Sequence, residues 1–515
     1  MSKTITFFQF IVLLSLFASC KIEEEKFPLA EATIAEIEVA MSEGRVTAEY
    51  LVKGYLDRIE AYDKQGPSIN SIIMVNPKAI DQAKYLDSIY TASGPVGPLH
   101  GIPIIIKDNY DAYGMPTSNG TLALKNSYPP DDAYQVKQLL EAGAIIIAKS
   151  NLAEFASSGS FSVSSRLPGY SRNPYDTRRT TAGSSGGTGA SIAAGLAVVG
   201  LGTDTGSSIR GPSSHQNLFG VRSTMGLTSR DGIVPLALTN DIGGPMARTV
   251  EDAVRVFDVI AGYDSSDAVT AKSIGVKETS YLPFLDQNGL DGMRIGVLRQ
   301  LFPIDDSDSS VYSVMLKALD DLKNGGAVLV DSVEIVGLDS LNESRTRISQ
   351  LKRDYNAYLA SLRDSSEYKT LQDIIDSKEY HPYLVKRLLD AQSAIDVPEE
   401  HPDWAKNLAL RQELRDRILG VMDSLELDAL IHPSFTYPPR LIGDLNGPRG
   451  DTSGKLSPPT GFPAVAVPMG FSYGKYPAGF QLLGRPFDEG TLFKISYAYE
   501  QKTKHRRAPT GFGEL

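Results

Sequence analysis

The chain has 515 residues, of which 42% are hydrophobic and 22% charged, and its formal net charge is −11. That length suits one large domain or two ordinary ones, and the composition is globular, well away from disorder. The acidic balance argues against nucleic acid as the main partner, because phosphate binding needs a clustered basic surface. There is no repeat period of roughly 20–50 residues to suggest a solenoid, and no low-complexity tract.

The N-terminus opens with Met1-Ser2-Lys3 and a mostly apolar run from Ile5 to Phe17, closed by Ala18-Ser19-Cys20. A basic start, an apolar stretch and small residues at its end read as a secretory signal, and the run is shorter than the ~20 residues of a helical span. Cys20 directly after the small pair resembles the lipobox of bacterial lipoproteins, with Phe17 where leucine is usual. The resemblance implies removal of residues 1–19 and lipidation of Cys20. It further implies that residues 20–30 form a charged tether and that the protein is exported and anchored at the cell envelope, on its periplasmic or surface side. The competing reading is an N-terminal transmembrane anchor with an incidental cysteine. Cys20 is the only cysteine, so the folded domain over 31–515 has no disulfide and no cysteine nucleophile.

Thr33 and Glu36 have capping-box spacing and predict a helix beginning at Thr33. Leu51, Tyr55, Leu56 and Ile59 recur at helical spacing as one buried face. Short aliphatic runs bounded by glycine or proline follow at Ile102–Ile106, Ala144–Ala148, Leu196–Leu201 and Arg294–Leu298, then at Ala327–Val330, Ala429–Ile431, Ala464–Val467 and Gly479–Leu483. Unbroken apolar runs separated by helical segments predict strands buried on both faces of a sheet. Between Ser184 and Leu196 nearly every residue is small, which suits a central helix packed close against that sheet. From about Val311 to Met422 the pattern is helical and charged, without strong strands after Val336, and predicts a peripheral helical region beside the site. The architecture expected is α/β.

Three segments carry candidate chemistry. Gly101 to Asn109 ends an aliphatic run on Lys107. Lysine is seldom fully buried unless paired or functional, and desolvation can lower its pKa by ~3–5 units, making a neutral amine available as a base. Thr181 to Gly189 contains Gly183-Ser184-Ser185-Gly186-Gly187, a glycine-rich loop without the P-loop pattern; the nearest look-alike, Gly143 to Ser150, lacks the glycine before its lysine. Gly202-Thr203-Asp204-Thr205-Gly206-Ser207-Ser208 has the small residues that let backbone N–H groups converge on an oxyanion. The six histidines are scattered, without metal-ligand spacing, and neither a metal nor another cofactor is indicated.

In order and spacing the three segments resemble the amidase signature family of Ser-Ser-Lys amidases. Ser208 lies 24 residues beyond Ser184, and Lys107 lies 77 before it. Further matching segments are Ala148 to Phe155, Gly243 to Ala253 and Gly461 to Gly470. The resemblance implies a large mixed twisted β-sheet covered by helices. It also implies Ser208 as nucleophile, Lys107 as base, Ser184 as the bridging serine, and the N–H groups of Thr205, Gly206, Ser207 and Ser208 as the oxyanion hole. Ser207 stands where the family usually has a second glycine, and Gly220-Val221-Arg222-Ser223-Thr224 stands for its usual G-x-K-P-[ST].

Within the family, Pro98 to Pro103, Asp131 to Tyr134, Ser171 to Tyr175 and Tyr499 to Thr503 most resemble bacterial peptide amidases. That implies a small amide or a C-terminally amidated peptide as substrate. Two other readings stand beside it: an A subunit of a glutamine-dependent tRNA amidotransferase, and a non-catalytic surface binding lipoprotein on an amidase scaffold.

Overall fold

All eight aliphatic runs lie in one sheet. The computed structural model describes residues 27–157 and 164–515, so the expected signal segment and Cys20 lie outside the described residues. The sheet strands are β1 (Ile72–Val75), β2 (Pro103–Lys107), β3 (Ile145–Ser150), β6 (Val199–Asp204), β7 (Phe219–Arg222) and β8 (Ile242–Ala247), then β9 (Arg294–Val297), β10 (Val328–Val330), β11 (Ala429–Pro433), β12 (Ala464–Ser472) and β13 (Tyr476–Leu483). A separate short hairpin pairs β4 (Ser164–Ser165) with β5 (Gly169–Tyr170). The eleven strands follow the order β1-β3-β2-β6-β8-β7-β12-β13-β11-β9-β10 in an open mixed sheet. β3, β2 and β6 run parallel, as do β11, β9 and β10, while the strands between these groups are antiparallel.

Three strands of the sheet, β1, β7 and β8, have no counterpart among the aliphatic runs. β8 reads Ile-Gly-Gly-Pro-Met-Ala, which looks like a turn. Its glycines are needed because a side chain at Gly244 would strike the Val221 carbonyl oxygen. Pro245 is tolerated because pairing with β7 ends at Met246, so no ladder bond is lost on that side.

The first helix starts where its cap predicts. Thr33 closes both capping-box bonds with Glu36, and helix Ile34–Ser42 follows. Helix Ala48–Arg58 buries Leu51, Val52 and Tyr55. The small-residue segment forms helix Gly186–Ala193, every residue of which is buried. Its closeness to the sheet depends on Gly187, where a Cβ would meet the carbonyl oxygens of Asn151 and Ser71.

Between Val330 and Ala429 the described residues form helices and no strand. Helices Leu351–Ser361, Leu371–Ser377 and Val385–Gln392 share a cluster with Phe155 and Val234 from the sheet side. Two polar ties pin this wall. Tyr358 donates to Asp111 at 2.8 Å, and the His381 N–H donates to Glu154.

Candidate active site

Lys107 is the last residue of β2, and its side chain is completely buried. Ile104, Ile105 and Ile106 before it are also fully buried, so the amine sits in the apolar setting the sequence suggests. Burial pushes the Lys107 pKa down to about 7, against an opposing pull from the carboxylates of Asp204 and Asp241. Lys107 Nζ donates to Ser184 Oγ at 2.8 Å and to Thr203 Oγ1 at 2.7 Å. Asn109 Nδ2 also donates to Thr203 Oγ1, at 3.1 Å. A neutral amine held toward Thr203 keeps a lone pair for the Ser184 proton.

Ser184 follows a cis peptide bond to Gly183 and precedes the buried helix. Its neighbour Ser185 is committed elsewhere: Ser185 Oγ donates to the Thr203 carbonyl and accepts from the Thr203 N–H, both at 3.2 Å. The Ser185 N–H donates to the Ser208 carbonyl at 3.2 Å, which ties the two serine-bearing segments together. Lys107 and Ser184 are thus in direct hydrogen-bond contact. Among the described residues the hydroxyl of Ser208 makes no hydrogen bond to Ser184, so the second link of the expected relay is not closed.

From Thr205 to Ser208 none of the four backbone N–H groups donates to another described residue. They are available to an oxyanion. A side chain at Gly206 would meet nothing within 4 Å, which keeps this face of the turn open. Ser207 lies near the buried carboxylate of Asp451 and favours its charged form against burial.

Buried charge fixes the turn from behind. Asp204 accepts from Arg210 Nε at 3.0 Å and from Arg222 Nη1 at 3.2 Å, and its carboxylate also accepts the Ile209 N–H at 3.1 Å. Burial alone would raise the Asp204 pKa, but the two guanidiniums outweigh it and hold the carboxyl at about 2. Arg222 also donates to the Asp204 carbonyl, to Ser457 and to Asn240. Thr205 Oγ1 donates to Asp241 at 2.5 Å, and Asp241 in turn accepts the N–H groups of Leu236 and Ala237. Sequence reasoning assigned no role to Thr203, Asp204, Arg210 or Arg222. Their signal was present, because all four lie within or beside the quoted motifs.

The histidines stand outside this network. His100 Nδ1 accepts from the Val96 N–H at 3.1 Å, at the far end of β2. His215, stacked on Phe435, and His432 are pushed down by burial to about 3 and about 4.

A cleft of about 2030 Å³ opens beside the turn. Thr205 and Asn240 line it on the sheet side, and Arg345, Arg387, Trp404 and Arg411 line it on the helical side.

The family model for Amidase matches residues 50–493. The chain belongs to the amidase family. Its fold superimposes on native peptide amidase from Stenotrophomonas maltophilia with a TM-score of 0.85 and 33% identity, covering 94% of this chain and 99% of the other. The A subunit of glutamyl-tRNA(Gln) amidotransferase from Carboxydothermus hydrogenoformans is 33% identical, over 92% of this chain and 97% of its own length. The structure of the corresponding subunit from Thermotoga maritima matches with a TM-score of 0.72 and 27% identity, covering 93% of this chain and 97% of that one. The amidase is therefore an enzyme that hydrolyses amide C–N bonds.

Proposed function

We propose that this amidase removes ammonia or an amine from C-terminal carboxamides of peptides, or from related small amides, through an acyl-enzyme on Ser208. The observation that carries the reading is the 2.8 Å contact between Lys107 and Ser184, made by a lysine whose pKa lies at about 7. In the free enzyme neutral Lys107 takes the Ser184 proton as Ser184 takes that of Ser208. Ser208 Oγ then attacks the amide carbon, and the N–H groups of Thr205, Gly206, Ser207 and Ser208 surround the oxyanion. The protons return through Ser184 to the leaving nitrogen, the C–N bond breaks, and water hydrolyses the ester.

The spacing of 24 residues from Ser184 and the proximity of Ser207 to Asp451 favour Ser208 as the nucleophile. We further assign the protein to the cell envelope through a lipid on Cys20, on the strength of the N-terminal sequence alone. Ammonia release from a panel of amidated peptides and simple carboxamides tests the activity. Ser208→Ala should abolish both turnover and labelling by a serine-reactive phosphonate. Loss of labelling in Ser207→Ala, with Ser208→Ala still labelled, would overturn the assignment.

The high identity to amidotransferase A subunits favours a second reading, in which the amide hydrolysed is that of glutamine. The higher TM-score to peptide amidase, 0.85 against 0.72, favours the first. Glutamine as the best substrate in the same panel would reverse that order.

A further inference from the structure

The cleft beside the oxyanion turn carries a charge that the rest of the chain does not. The whole has a formal net charge of −11. Yet the cleft is lined by Lys272, Arg345, Arg347, Arg387, Arg411 and Arg415. None of the six forms a salt bridge among the described residues. Other cations on the same walls are neutralised: Arg353 by Glu399 at 2.6 Å, Lys386 by Asp390 at 2.6 Å, and Lys455 by Asp339 at 2.8 Å. The fold gives a direct ion pair to those three and, among the described residues, none to the six, although Asp306 and Asp451 also line the cleft and Asp416 acts on Arg415.

The hydrogen bonds that Arg345, Arg387, Arg411 and Arg415 donate go to neutral acceptors. Arg411 donates to the Thr239 carbonyl, Asn240 Oδ1 and the Pro458 carbonyl, at 3.1, 2.6 and 3.0 Å. Asn240 adjoins Asp241, which holds Thr205, so Arg411 is tied directly to the segment behind the turn. Arg387 donates to the Ser157 carbonyl at 3.2 Å. Arg345 donates to Asn342 Oδ1, and its Nε is buried without an acceptor. Burial holds Arg387 and Arg411 down at about 10, and like charges add to it: Arg347 acts on Arg387, and Arg345 and Arg415 act on Arg411. Arg345, Arg387, Arg411 and Arg415 are half-buried, while Lys272 and Arg347 are exposed. Like charges gathered in one cleft are relieved when an anion enters, and arginine matches carboxylate by bidentate hydrogen bonding.

Size narrows the anion further. At about 2030 Å³ the cleft exceeds the ~300–1,000 Å³ of a typical small-molecule site, and it suits an extended chain. We propose that the preferred substrates are acidic peptide amides, whose upstream carboxylates lie against these six cations while the terminal carboxamide reaches the turn at Thr205. This deepens the peptide-amide reading above and rests on it.

The test uses C-terminally amidated peptides of equal length that differ only in carrying Glu, Gln or Lys upstream. Ammonia release should give a kcat/KM for the Glu peptides about tenfold or more above the Gln peptides, with the Lys peptides lowest. High ionic strength should compress that ratio, because charge recognition across a cleft is screened. The double variant R347Q/R387Q should cut the Glu-to-Gln ratio at least about threefold. Fluorescence-polarisation binding of the same peptides to Ser208→Ala gives a second readout that needs no turnover. Equal kcat/KM for Glu, Gln and Lys peptides would overturn the charge proposal and leave the amidase reading intact. Binding selective for Glu peptides without ammonia release from any amide would sink the peptide-amidase reading while supporting the anion-selective cleft. Neither selective binding nor turnover would overturn both.

Discussion

The ends of β2 and β3 set two buried lysines side by side in different company. In the parallel register Ile106 faces Lys149 and Lys107 faces Ser150, and both lysines are completely buried. Lys149 meets the Asp108 carboxylate at 2.9 Å and also donates to the Pro116 carbonyl and to Thr117. Among the described residues Lys107 meets only the hydroxyls of Ser184 and Thr203. Burial is common to the two, so it does not by itself make a base. A carboxylate in contact turns Lys149 into a brace, whereas the hydroxyls around Lys107 leave desolvation unopposed at close range.

The largest effect should come from Lys107→Met, which keeps the volume and removes the amine. We expect kcat to fall by about 10²–10⁴-fold with little change in substrate affinity, the usual range for losing a general base. Stability should move the other way. The folded pKa lies at about 7, below the ordinary 10.5, so between those values the unfolded chain binds a proton that the folded chain lacks. Wild-type stability therefore rises with pH across that window, by about 1.4 kcal/mol for each pH unit crossed. The Met variant should be more stable than wild type at neutral pH, with the gap closing as pH climbs. Denaturant titrations at several pH values would check it. A variant that is less stable at every pH would break the contrast.

Lys149→Met should show the opposite sign. Removing it leaves the buried Asp108 charge without its partner, a loss of about 3–5 kcal/mol for a broken buried pair. The expected readout is a lower denaturation midpoint at neutral pH, partly restored in the double variant with Asp108→Asn. Stability unchanged by Lys149→Met would mean that the ion pair braces nothing.

That contrast also marks how much the sequence could reveal. The strand runs were legible because aliphatic residues buried on both faces leave an unbroken signature, as at Ile104-Ile105-Ile106. Spacing and family resemblance singled out Lys107, Ser184 and the turn from Thr205 to Ser208 as candidates, and the structure brings Lys107 and Ser184 into hydrogen-bond contact. β8 was not, because its Gly-Gly-Pro obeys packing against β7 and β6 rather than strand propensity. The partnership of Arg222 and Asp204 joins residues 18 apart through a sheet crossing that no local pattern encodes. The cationic cleft was hidden for the same reason, since Lys272, Arg347 and Arg411 converge only once the helical wall docks on the sheet. An overall charge of −11 even pointed away from it.

A smaller perturbation tests the hydroxyl environment itself. Thr203→Val keeps the shape beside Lys107 but deletes the acceptor shared with Asn109. The charged ammonium gains more from that acceptor than the neutral amine does, so its loss should lower the lysine pKa further. With Lys107 as the proposed base, activity depends on the neutral form, so the wild-type kcat/KM should rise with pH through about 7. In the variant that acid limb should move to lower pH. The plateau should drop as well, because the amine is no longer held toward Ser184. A lost hydrogen bond of about 1.5 kcal/mol corresponds to roughly tenfold in rate. A full pH–rate profile separates the two effects, since a purely structural defect lowers the plateau and leaves the limb in place. Movement of the limb to higher pH would show that Thr203 favours the neutral amine, and the difference between Lys107 and Lys149 would then need another cause than their partners.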